Sequence, residues 1–246
     1  MSKREARSIT RQRLKPNFFD SSYLMLNNNV RIFFHFQTIV REEGRKRILD
    51  VGCGLKPWER LFRMEAVEYV GMDIPEGESV ADVKGSAECL PFPEDSFDGL
   101  VYSEILEHSA DLEKTVEEMR RVARPGAPVF VSTPFVFPEH GAPLDFLRPT
   151  RYFYYQVFRN DEIVEMAESN SSFSTPFITF NLVFDSTPLR RLWGVKHLIF
   201  LINNLIALIL DSAVRFLVER ITLFRKYRGR FYSFPLGYAL IVRINK

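Results

Sequence analysis

The sequence is poor in cysteine. Its 246 residues include only Cys53 and Cys89, too few for a disulfide framework and at no spacing that holds a metal. A reduced, cytosolic setting is the simplest expectation. Net charge is also scarce. The 33 Lys and Arg against 31 Asp and Glu leave +2, which argues against a chain that binds polyanions over its whole surface. No apolar h-region follows the basic N-terminus, so no secretory signal is expected. No internal repeat and no low-complexity segment occurs. What is present is a globular composition: 46% hydrophobic and 26% charged residues, with 14% aromatics that come mostly from 23 Phe. That suits one α/β domain with an elaboration, or at most two small domains. The charge is unevenly placed. Lys3, Arg4, Arg7, Arg11, Arg13 and Lys15 face a single Glu5 at the start, and Arg220, Arg225, Lys226, Arg228 and Arg230 cluster near the end.

Apolar residues recur every three to four positions at Leu26, Val30, Phe33, Phe36 and Val40, which predicts a helix over about 21–43 stopped at Gly44. Arg47 to Val51 is a short β-like run that ends in Gly52-Cys53-Gly54. Pro57 to Phe62 reads as a helix with Pro in its first turn. Further strands are expected at Glu68–Met72, near Val80–Val83, at Gly99–Tyr102 and at Pro128–Ser132, with a helix at Ala110–Val122 before the last of these. Phe177–Phe184 resembles a sixth strand and Tyr238–Ile244 a seventh. Alternation of strands with helices predicts a parallel sheet covered on both faces, with the ligand beyond the carboxyl ends of the strands.

Asp50, Gly52 and Gly54 stand where one strand gives way to a turn, and Asp73 closes the next strand. Glycines there let backbone approach a ligand, and an acidic residue at the second strand end can accept the two hydroxyls of a ribose. A tight turn and a helix cap are the plainer readings of each alone. The dinucleotide fingerprint needs a third glycine at position 57, which is Pro57.

Three segments, Ile48 to Gly54, Ala87 to Asp98, and Ser103-Glu104-Ile105-Leu106-Glu107-His108, resemble in order the consecutive motifs of class I S-adenosylmethionine (SAM) dependent methyltransferases, most closely the branch that modifies small molecules, lipids and glycans. The resemblance covers about residues 45–135. It implies a Rossmann-like α/β fold with a seven-stranded, mostly parallel sheet of order 3-2-1-4-5-7-6, the last strand antiparallel. It also implies SAM as cofactor, with Asp50, Gly52 and Gly54 at the methionine part, Asp73 at the ribose, Ala87 and Glu88 at the adenine, and Ser103 beside the methionine. The chain departs from the pattern at Lys56, where a third glycine is usual, and at Ser86, where an acidic residue is common. The link from Asp73 to Ala87 is short for a full helix. His108 is weighed more toward packing or capping than toward general base, Cys53 is read as a small loop residue, and Trp58 as a packing residue.

The fifth strand is followed by Pro138-Glu139-His140 and on to Asp145-Phe146-Leu147-Arg148, a run that resembles a segment of methyltransferases from bacterial surface-polysaccharide gene clusters. Two readings stand. In one, His140 is the base while Asp145 and Arg148 orient the substrate or one another; in the other, Asp145 and Arg148 are a salt bridge that pins the loop. Residues 197–210 carry no formal charge if His197 is neutral, yet fall short of the roughly 20 residues of a bilayer span and are interrupted by Asn203-Asn204. The two readings are a buried helix that lids the site or joins a homodimer, and a helix in the membrane interface with Arg190, Arg191, Lys196 and the Arg220–Arg230 cluster toward anionic headgroups.

The expected organisation is therefore a basic lead-in and N-terminal helix (1–44), a SAM-binding core (45–187) with a substrate loop (134–160), a helical insertion (188–230) and a final core strand (231–246). The expected activity is O-methylation of a glycan or glycolipid precursor in the cytoplasm or at the inner face of the membrane. A lipid or quinone-like acceptor and a non-catalytic SAM-binding scaffold are the alternatives. No metal is expected. Nucleic acid is not an expected partner, because Ser103-Glu104-Ile105-Leu106 stands where a base-methylating motif would be.

Overall fold

The structure, a computed structural model, describes residues 13–62, 67–75, 79–191, 193–220 and 234–246. The basic residues at positions 3, 4, 7 and 11, and Arg225, Lys226, Arg228 and Arg230, lie outside that description.

Seven strands form one sheet: β1 (Arg47–Val51), β2 (Glu68–Asp73), β3 (Val83–Lys84), β4 (Gly99–Ser103), β5 (Pro128–Pro134), β6 (Glu162–Glu168) and β7 (Gly237–Arg243). Their order is β3-β2-β1-β4-β5-β7-β6. β1 pairs in parallel with β2 and β4, and β7 runs antiparallel to both β5 and β6. β1, β4 and β5 read as near-continuous apolar runs because both faces are covered. On one face lies α1 (Tyr23–Glu42), whose Val30, Phe33, Phe36 and Val40 pack with Ile48, Trp58 and Phe130. On the other lie α2 (Leu112–Val122), whose Val116, Met119 and Val122 join Leu100, Val129 and Leu240, and the short α3 (Arg151–Val157), which buries Tyr154 there.

Three expectations change. Pro57–Phe62 is not a full helix but a single 3-10 turn at Glu59–Leu61. Lys56 adopts a φ of +50°, and the Trp58 ring stacks on Phe33 at 3.9 Å between centroids, so the segment is anchored before a helix can develop. The sixth strand is Glu162–Glu168, and Phe177–Phe184 instead lies in the helix α4 (Thr175–Ser186). Acidic residues made β6 look like loop. In the structure Glu165 pairs with Arg31 at 3.0 Å and His35 at 2.6 Å, Glu168 pairs with Arg151, and an irregularity between Ile163 and Glu165 breaks the two-residue alternation. The aromatic and β-branched residues of α4 carry strand propensity, but Pro176 starts a helix and Ile178 and Asn181 are buried on one face.

The third change concerns α5 (Trp193–Arg220). Its segment Gly194–Val214 has 21 residues and a mean hydropathy of 1.8, and only 17% of its apolar stretch is buried. It is thus long and apolar enough to cross a membrane by length and composition, and it is not a buried lid. Asn203 and Asn204 do not interrupt the apolar face. Asn203 donates to Asn181 at 2.8 Å, and Asn204 donates to the carbonyls of Phe18 and Asp20 at 2.8 and 3.1 Å. The polar pair clips α5 to the body, while Leu198, Ile202, Leu205, Ile206, Ile209 and Leu210 are exposed.

Candidate functional site

At the carboxyl end of β1 the chain must turn away from the sheet, and glycine makes the turn. Gly52 has a φ of +66°, and a Cβ there would stand 1.8 Å from Cδ1 of Ile105. Gly54, at φ +49°, donates its backbone N–H to Oδ2 of Asp73 at 2.9 Å. Between them Cys53 is buried, which pushes its thiol up to about 12. No thiolate forms there near neutral pH.

Asp50 lies beneath this turn. It is buried and accepts the Tyr69 hydroxyl at 2.7 Å. Burial pushes its carboxyl up to about 7, against the pull of the Tyr69 hydrogen bond. Lys56 takes up the left-handed conformation that a third glycine would have supplied. Its stem lies over Gly71, where a Cβ would meet Lys56 Cε at 2.2 Å. Its ammonium pairs with Asp82, which also accepts the Gly71 N–H at 2.8 Å. Asp82 escaped the sequence reading, although a buried lysine in a turn demands such a partner.

Two adjoining cavities open at these strand ends. One, of about 280 Å3, is lined by Asp73, Ser86, Ala87 and Glu88. Asp73 also receives the N–H of Ile74 at 2.9 Å. Glu88 accepts the N–H groups of Ala110 and Asp111 at 2.8 and 2.9 Å, so it organises the entry to α2 besides lining the cavity. The other, of about 380 Å3, is lined by Gly54, Ser103, Glu104 and His140 among others. Gly52 and His108 line both. The Ser103 hydroxyl lies 3.4 Å from that of Ser132. Asp50 lines neither cavity, and its contact with Tyr69 supports the turn from below.

The run after β5 resolves into two roles. Asp145 accepts both terminal nitrogens of Arg148, one at 2.6 Å, and the backbone N–H of His140 at 2.9 Å. The Arg148 guanidinium holds the Asp145 carboxyl well below the usual carboxylate range. Asp145 and Arg148 therefore bind one another and pin the loop, and neither lines either of these two cavities. Of the three residues expected to act on the acceptor, His140 alone reaches the site.

His140 meets His108 there, their ring centroids 4.9 Å apart. Nε2 of His108 and Nε2 of His140 lie 3.8 and 3.7 Å from Oε1 of Glu107. Glu107 is fully buried, and burial, reinforced by the charge of Glu104, pushes its carboxyl up to about 9. In the sequence Glu107 stood only within the motif that ends at His108, with no role of its own. Its signal was its position, beside His108 and just past the end of β4.

The comparisons agree with this architecture. The family model described as "Methyltransferase domain" matches residues 28–187. The chain belongs to the methyltransferase domain family. A probable S-adenosylmethionine-dependent methyltransferase of Mycolicibacterium smegmatis is 29% identical over 136 residues, 51% of this chain and 51% of that protein. A ubiquinone biosynthesis O-methyltransferase of Mesorhizobium japonicum is 33% identical over 104 residues, 35% of this chain and 40% of that protein. The chain thus spans about half or less of these curated relatives. The crystal structure of a SAM dependent methyltransferase from Archaeoglobus fulgidus superposes with a TM-score of 0.52 at 16% identity, covering 96% of this chain and 99% of that one; at that identity the likeness concerns the fold.

The family implies SAM as cofactor, and the site fits it. Gly52 turns the backbone at a positive φ beside both cavities, Asp73 offers a carboxylate at the second strand end, and the two cavities meet at Gly52 and His108.

Proposed function

We propose that the protein is a SAM-dependent O-methyltransferase acting on a glycan or glycolipid precursor at a membrane surface. The observation that carries the acceptor chemistry is the convergence of His108 and His140 on the cavity that also holds Gly54 and Ser103. SAM supplies an already activated methyl group, so the chain's own work is to align an acceptor oxygen and handle its proton. In this reading Asp73 holds the ribose, Ala87 and Glu88 flank the adenine, and Gly52, Gly54 and Ser103 line the methionine end, with Asp50 supporting the turn. The adenosine lies in the smaller cavity and the acceptor in the larger one. Activation of the acceptor hydroxyl falls to the imidazole pair, His140 foremost, and the Asp145–Arg148 pair positions it.

The membrane side of the reading rests on α5. Its outward face is apolar along a segment of about 30 Å, and Arg191 and Arg220 near its two ends are exposed. An apolar outward face with arginines near both ends suits docking against an anionic bilayer. The setting proposed is the cytoplasmic face. A lipid or quinone-like acceptor is the second reading, favoured by the same apolar face and by a relative named for ubiquinone biosynthesis.

The test is transfer of labelled methyl from SAM into membrane extracts, with extractable lipids and released glycans assayed separately. Label in the glycan part, lowered about 100-fold or more by His140→Ala with SAM affinity unchanged, is expected. Label in lipid alone selects the second reading. Equal turnover in the variant removes His140 from acceptor activation.

A further inference from the structure

Among the described residues, Glu107 is the one carboxylate with both oxygens buried and no hydrogen bond from another residue. A buried acceptor left bare costs about 1–3 kcal/mol, and such groups call for a partner. The nearby cation does not serve, because the Arg148 guanidinium is taken up by Asp145. What faces Glu107 is two imidazoles, and both are oriented. His108 Nδ1 sits on the carbonyl of Leu144. His140 Nδ1 lies 3.3 Å from the carbonyl of Pro138, with Asp145 beyond at 3.5 Å. A carbonyl accepts only, so Nδ1 carries a hydrogen in each ring, and in the neutral imidazole Nε2 keeps its lone pair. Both Nε2 atoms are the ones that converge on Glu107 Oε1. Imidazoles fixed through Nδ1 by backbone carbonyls, with Nε2 free, are how proteins orient metal-ligating histidines.

We propose that Glu107, His108 and His140 form a binding site for a divalent transition-metal ion, in the wall where the two cavities meet. The three donor atoms lie within 4.8 Å of one another. A tetrahedral ion with bonds of about 2.0 Å holds its ligands roughly 3.3 Å apart, so the imidazoles close on it by small side-chain rotations. Two nitrogens and one carboxylate suit Zn2+, Co2+ or Mn2+ better than the all-oxygen sites of Ca2+ or Mg2+. Glu104 lines the same cavity and adds negative charge next to Glu107. The loop approaches closely: a Cβ at Gly141, at φ +66°, would stand 2.9 Å from His108 Cε1.

The inference rests on the reading of this cavity as the acceptor side of the methyl-transfer site, and it changes the means of activation. With its Nε2 on such an ion, His140 would act on the acceptor through the ion in place of taking the proton itself. A bound ion would supply Lewis acidity that lowers the pKa of an acceptor hydroxyl, whose proton would leave to solvent. The oxygen then takes the methyl carbon while the electron pair of the broken C–S bond stays on sulfur.

The test is a titration of chelator-stripped protein with Co2+, followed by visible absorption and by displacement with Zn2+. One equivalent should bind saturably. Glu107→Gln, which keeps the buried shape, and His140→Ala, which changes a part-exposed loop side chain, should each weaken binding at least tenfold. Absence of saturable absorption, or equal affinity in both variants, overturns the site and leaves Glu107 a protonated acid. SAM affinity of the stripped protein is measured alongside. SAM binding without Co2+ binding discards the ion alone. Co2+ binding without SAM binding keeps the ion and discards the methyltransferase reading beneath it.

Discussion

Oδ2 of Asp73 accepts the backbone N–H of Gly54 at 2.9 Å, so the end of the second strand is tied to the turn that ends the first. That bond fixes where the turn's bare backbone faces. It couples the carboxylate proposed to hold the ribose to the glycines proposed to hold the methionine end.

The two glycines of the turn should differ under substitution. Gly52→Ala places a methyl into Ile105 at a positive φ, whereas Gly54→Ala meets nothing within 4 Å and is strained only by its φ. The expected losses are about 2–4 kcal/mol for the first and about 1–2 kcal/mol for the second, measured by denaturant unfolding. Equal losses would show that Ile105 yields.

Asp50 makes stability depend on pH. Its carboxyl is raised to about 7 in the folded chain, above about 3.9 when unfolded. Between these values the folded state holds the extra proton, so this contribution is fully present below about pH 4 and is lost as pH rises through about 7. Asp50→Asn should flatten the fall of Tm between about pH 4 and 7. An unchanged slope would place the titration elsewhere.

Asp145 behaves in the opposite sense. Arg148 holds its carboxyl below the usual range, so its contribution is present above the unfolded pKa and is lost as pH falls through the folded value. Arg148→Ala should cost about 1–3 kcal/mol and free the loop that carries His140. Hydrogen exchange at the His140 amide, which donates to Asp145, should rise correspondingly.

The helix α5 has an inner and an outer face, and they separate stability from the proposed membrane docking. Asn204→Ala leaves the carbonyls of Phe18 and Asp20 without their donor and should cost about 1–3 kcal/mol. Ile209→Glu, on an exposed position, should leave Tm nearly unchanged and abolish salt-sensitive sedimentation with phosphatidylglycerol vesicles. Retained sedimentation would move the contact away from this face.

Much of the fold was legible in the sequence. The buried parallel strands announced themselves as apolar runs, and Gly52, Gly54 and Asp73 marked the strand ends where the cavities lie. What was hidden depended on partners distant in sequence. Glu165 and Glu168 pass for loop residues until Arg31, His35 and Arg151 are seen opposite them. Strand propensity in Phe177–Phe184 gave way to packing. Asn203 and Asn204 break an apolar run on paper, while in space they face inward. The sequence displayed His140 but not its neighbour Glu107, because convergence across a 33-residue separation is a property of the fold.

The most direct measurement is calorimetric titration of the protein with SAM and with S-adenosylhomocysteine, beside Asp73→Ala. The account predicts binding of both ligands at micromolar concentrations, and at least a tenfold loss in a variant that remains folded. A folded protein that binds neither ligand would contradict it.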